Sequence, residues 1–274
     1  MITVITGASA GIGAAAAEGL ARAGHDVVLV GRSRAKLDAV AGRVASVSGR
    51  RPDVAIADFT SFEDVTRLAA DLLDRYERID VLANNAGVMS TNRQLTRDGH
   101  EIMIQVNHLS PFLLTNLLLD RVTASGGRVV TTCSAAARTG RLDPADLDRS
   151  GRRWSGWLQY GDTKQANALL TVALARRGVA ATCFHPGIIR TGFAPDSLYM
   201  KLLMIIPGVA QSPERGASTL VHLATSHDGT KHSGRYFVRS APASAGRRMT
   251  DPGLAATLWD ASLAVTGLSA DEIT

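Results

Sequence analysis

Short apolar runs alternate with longer segments of helical periodicity along most of this chain, and this alternation restricts the fold more than any other feature. Several runs are almost continuously apolar, which is typical of strands covered on both faces of a sheet. Strand–helix–strand alternation predicts α/β architecture, with a doubly wound parallel sheet and right-handed crossovers. The predicted strands are residues 3–6, 27–30, 54–57, 81–84, 128–132, 180–184 and 235–238, and the predicted helices are residues 13–23, 35–46, 62–76, 100–122, 158–176, 212–225 and 252–265.

The length of the chain is consistent with a single domain spanning residues 1–274. Of its 274 residues, 45% are hydrophobic, which is enough to bury one sizeable core. Residues 138–157 break the alternation and are rich in Arg, Asp and Gly, so we predict an inserted loop there.

The charge of the chain is basic, with a formal net charge of +5 and a sequence pI of about 9.6. The basic residues are dispersed, and the longest runs are pairs such as Arg50-Arg51 and Arg176-Arg177. We therefore interpret them as a solvated surface and expect no nucleic-acid partner.

Cysteine and histidine usage gives no sign of a disulfide or a metal site. Cys133 and Cys183 each lie in an apolar, strand-like run, so we expect buried reduced thiols. The seven histidines show no ligand-spaced clustering, and no metal is predicted. No run reaches the roughly 18 apolar residues of a membrane helix, and residues 1–6 are typical of a strand rather than a signal peptide. We expect a cytoplasmic protein without an integral membrane segment.

A glycine-rich turn joins the first predicted strand to the first predicted helix. Gly7 can turn the chain sharply, Gly11 lets backbone approach a pyrophosphate, and Gly13 lets the helix pack closely on the strand. The helix N-terminus then presents free N–H groups to the anion. The order of strand, turn and helix predicts a Rossmann-like nucleotide site, although a tight turn without a ligand would have the same sequence. The candidate contacts in the turn are Gly7, Ser9, Ala10, Gly11, Ile12 and Gly13.

The residues at the end of the second strand indicate which dinucleotide cofactor is expected. A carboxylate there would bind the ribose 2′-hydroxyl of NAD, whereas an arginine accommodates the 2′-phosphate of NADP. The chain has Arg32 and no carboxylate at this point, so we expect NADP, with NAD the less favoured cofactor. The alternative is that Arg32 is one of many surface arginines.

Two further loops follow the third and fourth predicted strands, where ligand contacts are expected. Asp58 and Phe59 follow the third strand, and Asp58 could accept a hydrogen bond from an adenine amino group or cap the helix that starts near Ser61. Asn84 and Asn85 could instead join neighbouring loops as structural support. The remaining candidate contacts after the fourth strand are Asn85, Ala86 and Gly87.

Tyr160 and Lys164 are four residues apart, which places both side chains on one face of a predicted helix. A phenol has an ordinary pKa near ~10, too high for easy proton exchange at neutral pH. A nearby ammonium lowers that pKa, and Tyr160 could then exchange a proton with a carbonyl or alcohol oxygen as a hydride moves. The alternative is an ordinary solvated pair.

Taken in order, these motifs resemble the short-chain dehydrogenase/reductase family. The resemblance extends over nearly the whole chain and is carried by the runs 6–13 and 84–87, the Tyr160/Lys164 pair, and His185-Pro186-Gly187 with Thr191. Residues 106–115, the long gap between residues 134 and 160, and the tail motifs at 212–217 and 233–237 resemble the retinol-dehydrogenase-like branch.

The resemblance implies a role for each matching residue. It implies that Tyr160 is the general acid/base, that Lys164 lowers its pKa and holds the nicotinamide ribose, and that Ser134 hydrogen-bonds the substrate oxygen. It implies that Asn107 supports the active-site helix and a proton-relay water. The loop beside the nicotinamide is implied to contain Pro186, Gly187, Ile189 and Thr191. Where the family usually has two adjacent serines, this chain has Cys133 and Ser134, and it has Ala10 where many NADP-dependent members have a basic residue.

Within the family, the segment 194–211 covers the substrate, and in this chain it is rich in Leu, Ile and Met. Such residues suit an irregular apolar cleft, so we expect an apolar small-molecule carbonyl or alcohol. The same residues could instead form a homo-oligomer contact or touch a membrane surface. Trp154 and Trp157 could line the cleft entrance or pack the inserted loop down.

The function expected from these motifs is hydride transfer between NADP(H) and a carbonyl or alcohol group. Two alternatives stay open: NADPH-dependent reduction of a C=C bond, and a non-catalytic NADP(H)-binding regulatory protein. A pure binder would have no need of Ser134, Tyr160, Lys164 and Asn107 together, which counts against the second alternative.

Overall fold

The computed structural model describes residues 1–189 and 210–269 of the chain. These residues form an eight-stranded sheet, in the spatial order β3-β2-β1-β4-β5-β6-β7-β8. The first seven strands are parallel, and β8 pairs antiparallel with β7. The strands are β1 (Ile2–Thr6), β2 (Asp26–Gly31), β3 (Asp53–Ile56), β4 (Val81–Asn84), β5 (Arg128–Thr132), β6 (Ala180–His185), β7 (Tyr236–Val238) and β8 (Ala241–Pro242).

Helices cover both faces of the sheet, so the predicted doubly wound α/β fold is confirmed. The strand order reverses between β1 and β4, and ligands bind such sheets at the carboxyl ends of the strands flanking this point. The helices are α1 (Gly11–Arg22), α2 (Arg34–Ser48), α3 (Phe62–Arg75), α4 (Ile102–Ile104), α5 (Ser110–Leu117), α6 (Leu119–Ala124), α7 (Gly156–Arg176), α8 (Pro213–Thr225), α9 (Asp228–Lys231) and α10 (Pro252–Thr266).

Alternate residues of each strand belong to two separate apolar layers, because successive side chains of a strand point to opposite faces. Val4 and Leu82 pack in one layer with α3, α5, α7 and α10. Ile5 and Val81 pack in the other layer with α1, α2 and α8. Burial on both faces explains why the strands have almost continuously apolar sequences.

The seven predicted strands agree with the observed ones to within one residue at each end, and among the described residues the short β8 is the one strand not predicted. The single helix predicted over residues 100–122 is wrong. That segment consists of α4, a π-helix (Gln105–Leu109), α5 and α6. In a regular α-helix the N–H of residue 111 would donate to the carbonyl oxygen of Asn107. Pro111 has no backbone N–H, so this hydrogen bond cannot form. The chain forms a π-helix instead, just before the proline.

The segment 138–157 contains the end of a 3₁₀ helix (Ala135–Thr139) and then irregular chain up to the start of α7. Its Arg149 is buried and donates to the carboxylate of Asp162 in α7, with Nε 2.8 Å from Oδ2. Arg141 N also donates to Asp162, at 2.7 Å. These bonds hold the segment against the second turn of α7.

Only Ala210 and Gln211 of the segment 194–211 lie within the described residues. None of the helices in the described part of the chain has the length and apolar character needed to cross a bilayer.

Candidate active site

The glycine turn brings the backbone of β1 and α1 very close to the loop after β4. Gly7 and Gly11 have positive φ angles, 66° and 56°, which favour glycine. A Cβ on Gly7 would lie 2.8 Å from the Cα of Ala86, and a Cβ on Gly13 would lie 2.3 Å from the carbonyl oxygen of Gly7. These positions therefore tolerate no side chain.

Among the described residues, no side chain caps the N-terminus of α1. Ala10 occupies the N-cap position and makes no side-chain capping bond, and the first turn of α1 contains no acidic residue. The N–H groups of a helix start are unsatisfied within the helix, and the helix dipole favours negative charge there. The turn therefore fits the pyrophosphate of a dinucleotide. Ser9 and Ile12 lie within it, both partly exposed.

The loop after β4 is tied to the ends of β1 and β5. Asn85 Nδ2 donates to the carbonyl oxygen of Thr6 at 3.0 Å, and Asn85 Oδ1 accepts from the hydroxyl of Thr132 at 3.1 Å. The hydroxyl of Thr6 accepts from the N–H groups of Asn85 and Ala86, both at 3.0 Å. The side chain of Asn85 thus joins three loops, which is the supporting role that the sequence left open.

The other expected cofactor contacts lie at the ends of β2 and β3. Arg32 directly follows β2 and is exposed, and in the described part of the chain we find no hydrogen bond or ion pair to its guanidinium. Asp58 does not cap α3, because Ser61 occupies the N-cap position and accepts from Asp64 N at 3.1 Å. Asp58 instead accepts from Thr60 N at 3.0 Å, and Phe59 is buried beside it.

Tyr160 and Lys164 lie in the first half of α7, and both are buried. Lys164 Nζ is 5.7 Å from the centre of the Tyr160 ring and donates to the carbonyl oxygen of Thr132 at 3.1 Å. Tyr160 is also hydrogen-bonded to Ser134, which follows β5. The structure therefore brings Ser134, Tyr160 and Lys164 together at the carboxyl end of β5.

Asn107 is fully buried in the π-helix and connects the loop after β4 with α7. Its Oδ1 accepts from Val88 N at 2.7 Å, and its Nδ2 donates to Val88 O at 2.9 Å and to the hydroxyl of Thr163 at 3.1 Å. Thr163 lies between Tyr160 and Lys164 on α7, so Asn107 fixes the helix turn that carries both.

Gly87, in the loop after β4, lies close to both Asn107 and Lys164. A Cβ on Gly87 would lie 3.3 Å from Asn107 Oδ1 and 3.5 Å from Lys164 Nζ. The loop after β4 therefore passes directly beside Asn107 and Lys164.

Burial of Tyr160 and Lys164 acts against the expected acidity of the Tyr160 phenol. Burial raises the pKa of Tyr160, and the hydrogen bond from Ser134 only partly opposes this. Burial also lowers the pKa of Lys164 to about 8, because an ammonium is less stable away from water. Exclusion of water is the largest influence on the pKa of both side chains.

The loop after β6 reaches back to the glycine turn. Gly187 has a φ of 93°, and a Cβ on it would touch the side chain of Gln211 at 3.4 Å. A Cβ on Gly216, in α8, would lie 2.6 Å from Ile189 Cδ1 and 3.3 Å from Ile12 Cγ1, so these side chains converge. Pro186 precedes Gly187 and is half-buried. Thr191 lies outside the described residues.

Apolar side chains surround the phenol of Tyr160. Trp154, from the inserted segment, packs in a cluster with Met103, Ala136 and Tyr160. Trp157 is 45% exposed, and its ring centre is 6.4 Å from that of Tyr160. Both tryptophans thus lie near the side chain of Tyr160.

Sequence reasoning missed several supporting groups. His185 Nδ1 accepts from Ala135 N at 3.3 Å, next to Ser134, and Thr6 and Thr132 connect the loops described above. Each of the three is the last residue of a parallel strand, at the carboxyl edge of the sheet, which is the signal that could have identified them.

Both cysteines are buried free thiols, as predicted. Cys133 Sγ lies 3.1 Å from the carbonyl oxygen of Lys164, so it packs against α7 where the family's other serine usually stands. In residues 1–189 and 210–269, no three His, Cys, Asp or Glu side chains are grouped to hold a metal ion.

Comparison with known proteins agrees with this fold. The family profile described as short chain dehydrogenase matches residues 1–200. The chain belongs to the short-chain dehydrogenase family and is therefore an oxidoreductase. Within the family, its relatives place it in the retinol-dehydrogenase-like branch.

A protein named as a daunorubicin C-13 ketoreductase, from Streptomyces sp. (strain C5), is 42% identical over 96% of this chain and 92% of its own length. Human retinol dehydrogenase 13 is 32% identical over 98% of this chain and 86% of its own length.

Solved structures share the fold. An uncharacterised protein from Mycobacterium paratuberculosis superposes with a TM-score of 0.79, at 34% identity, over 98% of this chain and 94% of its own. An alcohol dehydrogenase from Thermococcus sibiricus, solved with 5-hydroxy-NADP, superposes with a TM-score of 0.64, at 26% identity, over 81% of this chain and 89% of its own.

Proposed function

We propose that this protein transfers a hydride between NADP(H) and a carbonyl or alcohol group of an apolar small molecule. The observation that carries the proposal is the meeting of Ser134, Tyr160 and Lys164 at the carboxyl end of β5, on the same edge of the sheet as a glycine turn that fits a pyrophosphate. The names of the Streptomyces and human relatives both describe interconversion of carbonyl and alcohol groups. This favours reduction of a C=O bond over reduction of a C=C bond.

The residues that would hold the dinucleotide come from the glycine turn, the end of β2 and helix α7. The turn from Gly7 to Gly13 would bind the pyrophosphate, Arg32 would bind the 2′-phosphate, and Lys164 would bind the nicotinamide ribose. When bound, the nicotinamide supplies or accepts the hydride.

The chain itself would handle the oxygen and its proton. In the reductive direction, the hydroxyl groups of Ser134 and Tyr160 donate hydrogen bonds to the carbonyl oxygen, and the phenolic proton of Tyr160 moves to that oxygen as it becomes an alcohol. In the oxidative direction, Tyr160 receives the proton. The charge of Lys164 stabilises the phenolate left on Tyr160, and Asn107 keeps the α7 turn that carries both in place.

An apolar substrate is supported by the cluster around Tyr160, in which Trp154 and Met103 present apolar surface. A cytoplasmic location is part of this proposal, and a homo-oligomer is compatible with it.

The central test is the substitution Tyr160→Phe, assayed by NADPH absorbance with a panel of apolar ketones, aldehydes and enones. We expect turnover to fall by about 10²–10⁴-fold, the contribution of a general acid, while NADPH binding stays within about threefold of the wild type. Tyr76→Phe is the matched control, because the Tyr76 hydroxyl bonds Asp53 at the surface. Near-normal turnover of the Tyr160→Phe variant would contradict the proposed role, and activity confined to enones would favour C=C reduction.

A further inference from the structure

Glu101 is a fully buried carboxyl group that the proposed reaction does not use. It occupies the N-cap position of α4, where its Oε2 accepts from Met103 N at 3.0 Å and from Ile104 N at 3.1 Å. Its other oxygen, Oε1, has no hydrogen-bond donor, and no cation in the described part of the chain forms an ion pair with it.

The side chain of Gln159 lies against this carboxyl group and is also fully buried. Gln159 Nε2 donates to the carbonyl oxygen of Leu147, in the inserted segment, at 3.0 Å. Gln159 Oε1, like Glu101 Oε1, has no donor. Gln159 directly precedes Tyr160 in α7, so this contact connects α4, the inserted segment and the start of the helix that bears Tyr160.

Glu101 Oε1 and Gln159 Oε1 are thus two buried acceptors without a donor, and the side chains that carry them are in contact. A carboxylate is only an acceptor, whereas a neutral carboxylic acid has one O–H donor. Buried polar atoms are almost always hydrogen-bonded, and one additional proton on Glu101 would satisfy the pair.

The electrostatic surroundings of Glu101 also favour the neutral form. Burial raises the pKa of Glu101 to about 7, although the N–H groups of Ile104 and Met103 and the amide of Gln159 favour the charged form. Asp148 accepts from Glu101 N at 2.7 Å, and its negative charge raises this pKa further. Asp148 is itself paired with His100 at 3.3 Å. Arg93 acts on Asp148, and Asp98 acts on His100.

We propose that Glu101 is a positioning residue held as the neutral carboxylic acid, whose O–H donates to the amide oxygen of Gln159. This bond joins α4 and the inserted segment to the start of α7 beside Tyr160. On ionisation the proton leaves to solvent, Gln159 loses its donor, and a buried negative charge faces Asp148.

The stability of the folded protein depends on pH because the pKa of Glu101 is raised on folding. The folded state binds this proton more tightly than the unfolded state, so stability falls as pH rises from the ordinary carboxyl pKa to about 7 and is constant above that value.

Glu101→Gln separates the two protonation states. A glutamine oxygen can accept from Met103 N and Ile104 N, while its NH₂ group donates to Gln159 Oε1, as the neutral acid would. We expect the melting temperature of the variant, relative to the wild type, to rise by at least about 4 °C between about pH 5 and about pH 8. A variant that is less stable than the wild type by the same amount at every pH would show that Glu101 is ionised.

Infrared difference spectra of the wild type between about pH 6 and about pH 8 give a second test that needs no variant to fold. We expect loss of a carboxylic-acid C=O stretch as pH rises, and the same band should be absent from Glu101→Gln. His100→Gln is the matched control, because it removes the neighbouring histidine but should leave the band in place. Persistence of the band in Glu101→Gln, or its absence from the wild type, would overturn the proposal.

The effect on catalysis rests on the proposed function and is measured separately. The ratio of kcat for Glu101→Gln to kcat for the wild type should rise by about threefold or more across the same pH interval, with KM for NADPH unchanged. If neither protein turns over any substrate, the proposed function fails, while the stability and infrared results still decide the state of Glu101.

Discussion

The guanidinium of Arg32 is the group on which the proposed preference for NADP depends. It is exposed at the end of β2, and the described residues offer it no partner. The nearby Arg34, by contrast, is paired with Asp38, with Nε 3.0 Å from Oδ2. A free guanidinium can form two parallel hydrogen bonds with a phosphate, and no carboxylate stands at this strand end to bind a 2′-hydroxyl.

Arg32→Glu should therefore reverse the cofactor preference. The substitution removes the phosphate ligand and adds a like charge, so the Kd for NADPH should rise by about 100-fold, equivalent to about 3 kcal/mol. The Kd for NADH should stay within about threefold or improve. Titration by nucleotide fluorescence measures both, with Arg34→Glu as the control. A wild-type protein that binds NADH more tightly than NADPH would contradict the assignment of Arg32.

At the scale of elements, α7 is positioned by contacts that its own sequence does not reveal. Asp162 lies between Tyr160 and Lys164, is buried, and pairs with Arg149 of the inserted segment at 2.8 Å. A buried ion pair therefore connects the inserted segment with α7. If one partner is removed, the charge of the other is left buried and uncompensated.

Asp162→Asn should destabilise the protein by about 3 kcal/mol, because Arg149 would remain buried with its charge unpaired. The free energy of unfolding in urea measures this effect. Asp38→Asn, in the exposed pair with Arg34, is the control and should cost no more than about 1 kcal/mol. A cost for Asp162→Asn as small as that of the control would show that the buried pair contributes little.

The segment from Ile102 to Ala124 shows the limit of periodicity at this scale. Its apolar pattern predicts one helix, but the chain winds as a π-helix just before Pro111. The apolar pattern reflects which residues are buried. The hydrogen-bond register depends on the missing N–H of Pro111 and on the hydrogen bond from Val88 N to the side chain of Asn107.

Across the whole molecule, His108 connects the π-helix with the C-terminal helix α10 in the largest apolar layer. The hydroxyl of Ser262 donates to Leu258 O at 2.7 Å, so His108 Nε2 donates to that hydroxyl at 2.9 Å. His108 Nδ1 then bears a lone pair without a donor. Burial lowers the pKa of His108 to about 3, so the imidazole is neutral in the folded state.

The folded protein should therefore lose stability as pH falls from about 6.5 to about 3, because the unfolded state binds a proton on His108 that the folded state excludes. We expect His108→Gln to lose less stability than the wild type over this interval, by a few kcal/mol. Urea unfolding at a series of pH values measures the difference, with His222→Gln as a control near the surface. If His108→Gln and wild-type stabilities fall in parallel, His108 is not the group responsible.

The sequence by itself determined the fold class, the strand positions and the glycine turn, because burial on both faces and close backbone approach each restrict residue type locally. It also placed Tyr160 and Lys164 on one helix face, since helical spacing is a local property. Only the tertiary structure decided that Ser134 and Asn107 meet this face, because they come from other elements and follow from the sheet order. It also decided that burial governs the pKa values of Tyr160, Lys164 and Glu101, since the exclusion of water depends on everything packed around them.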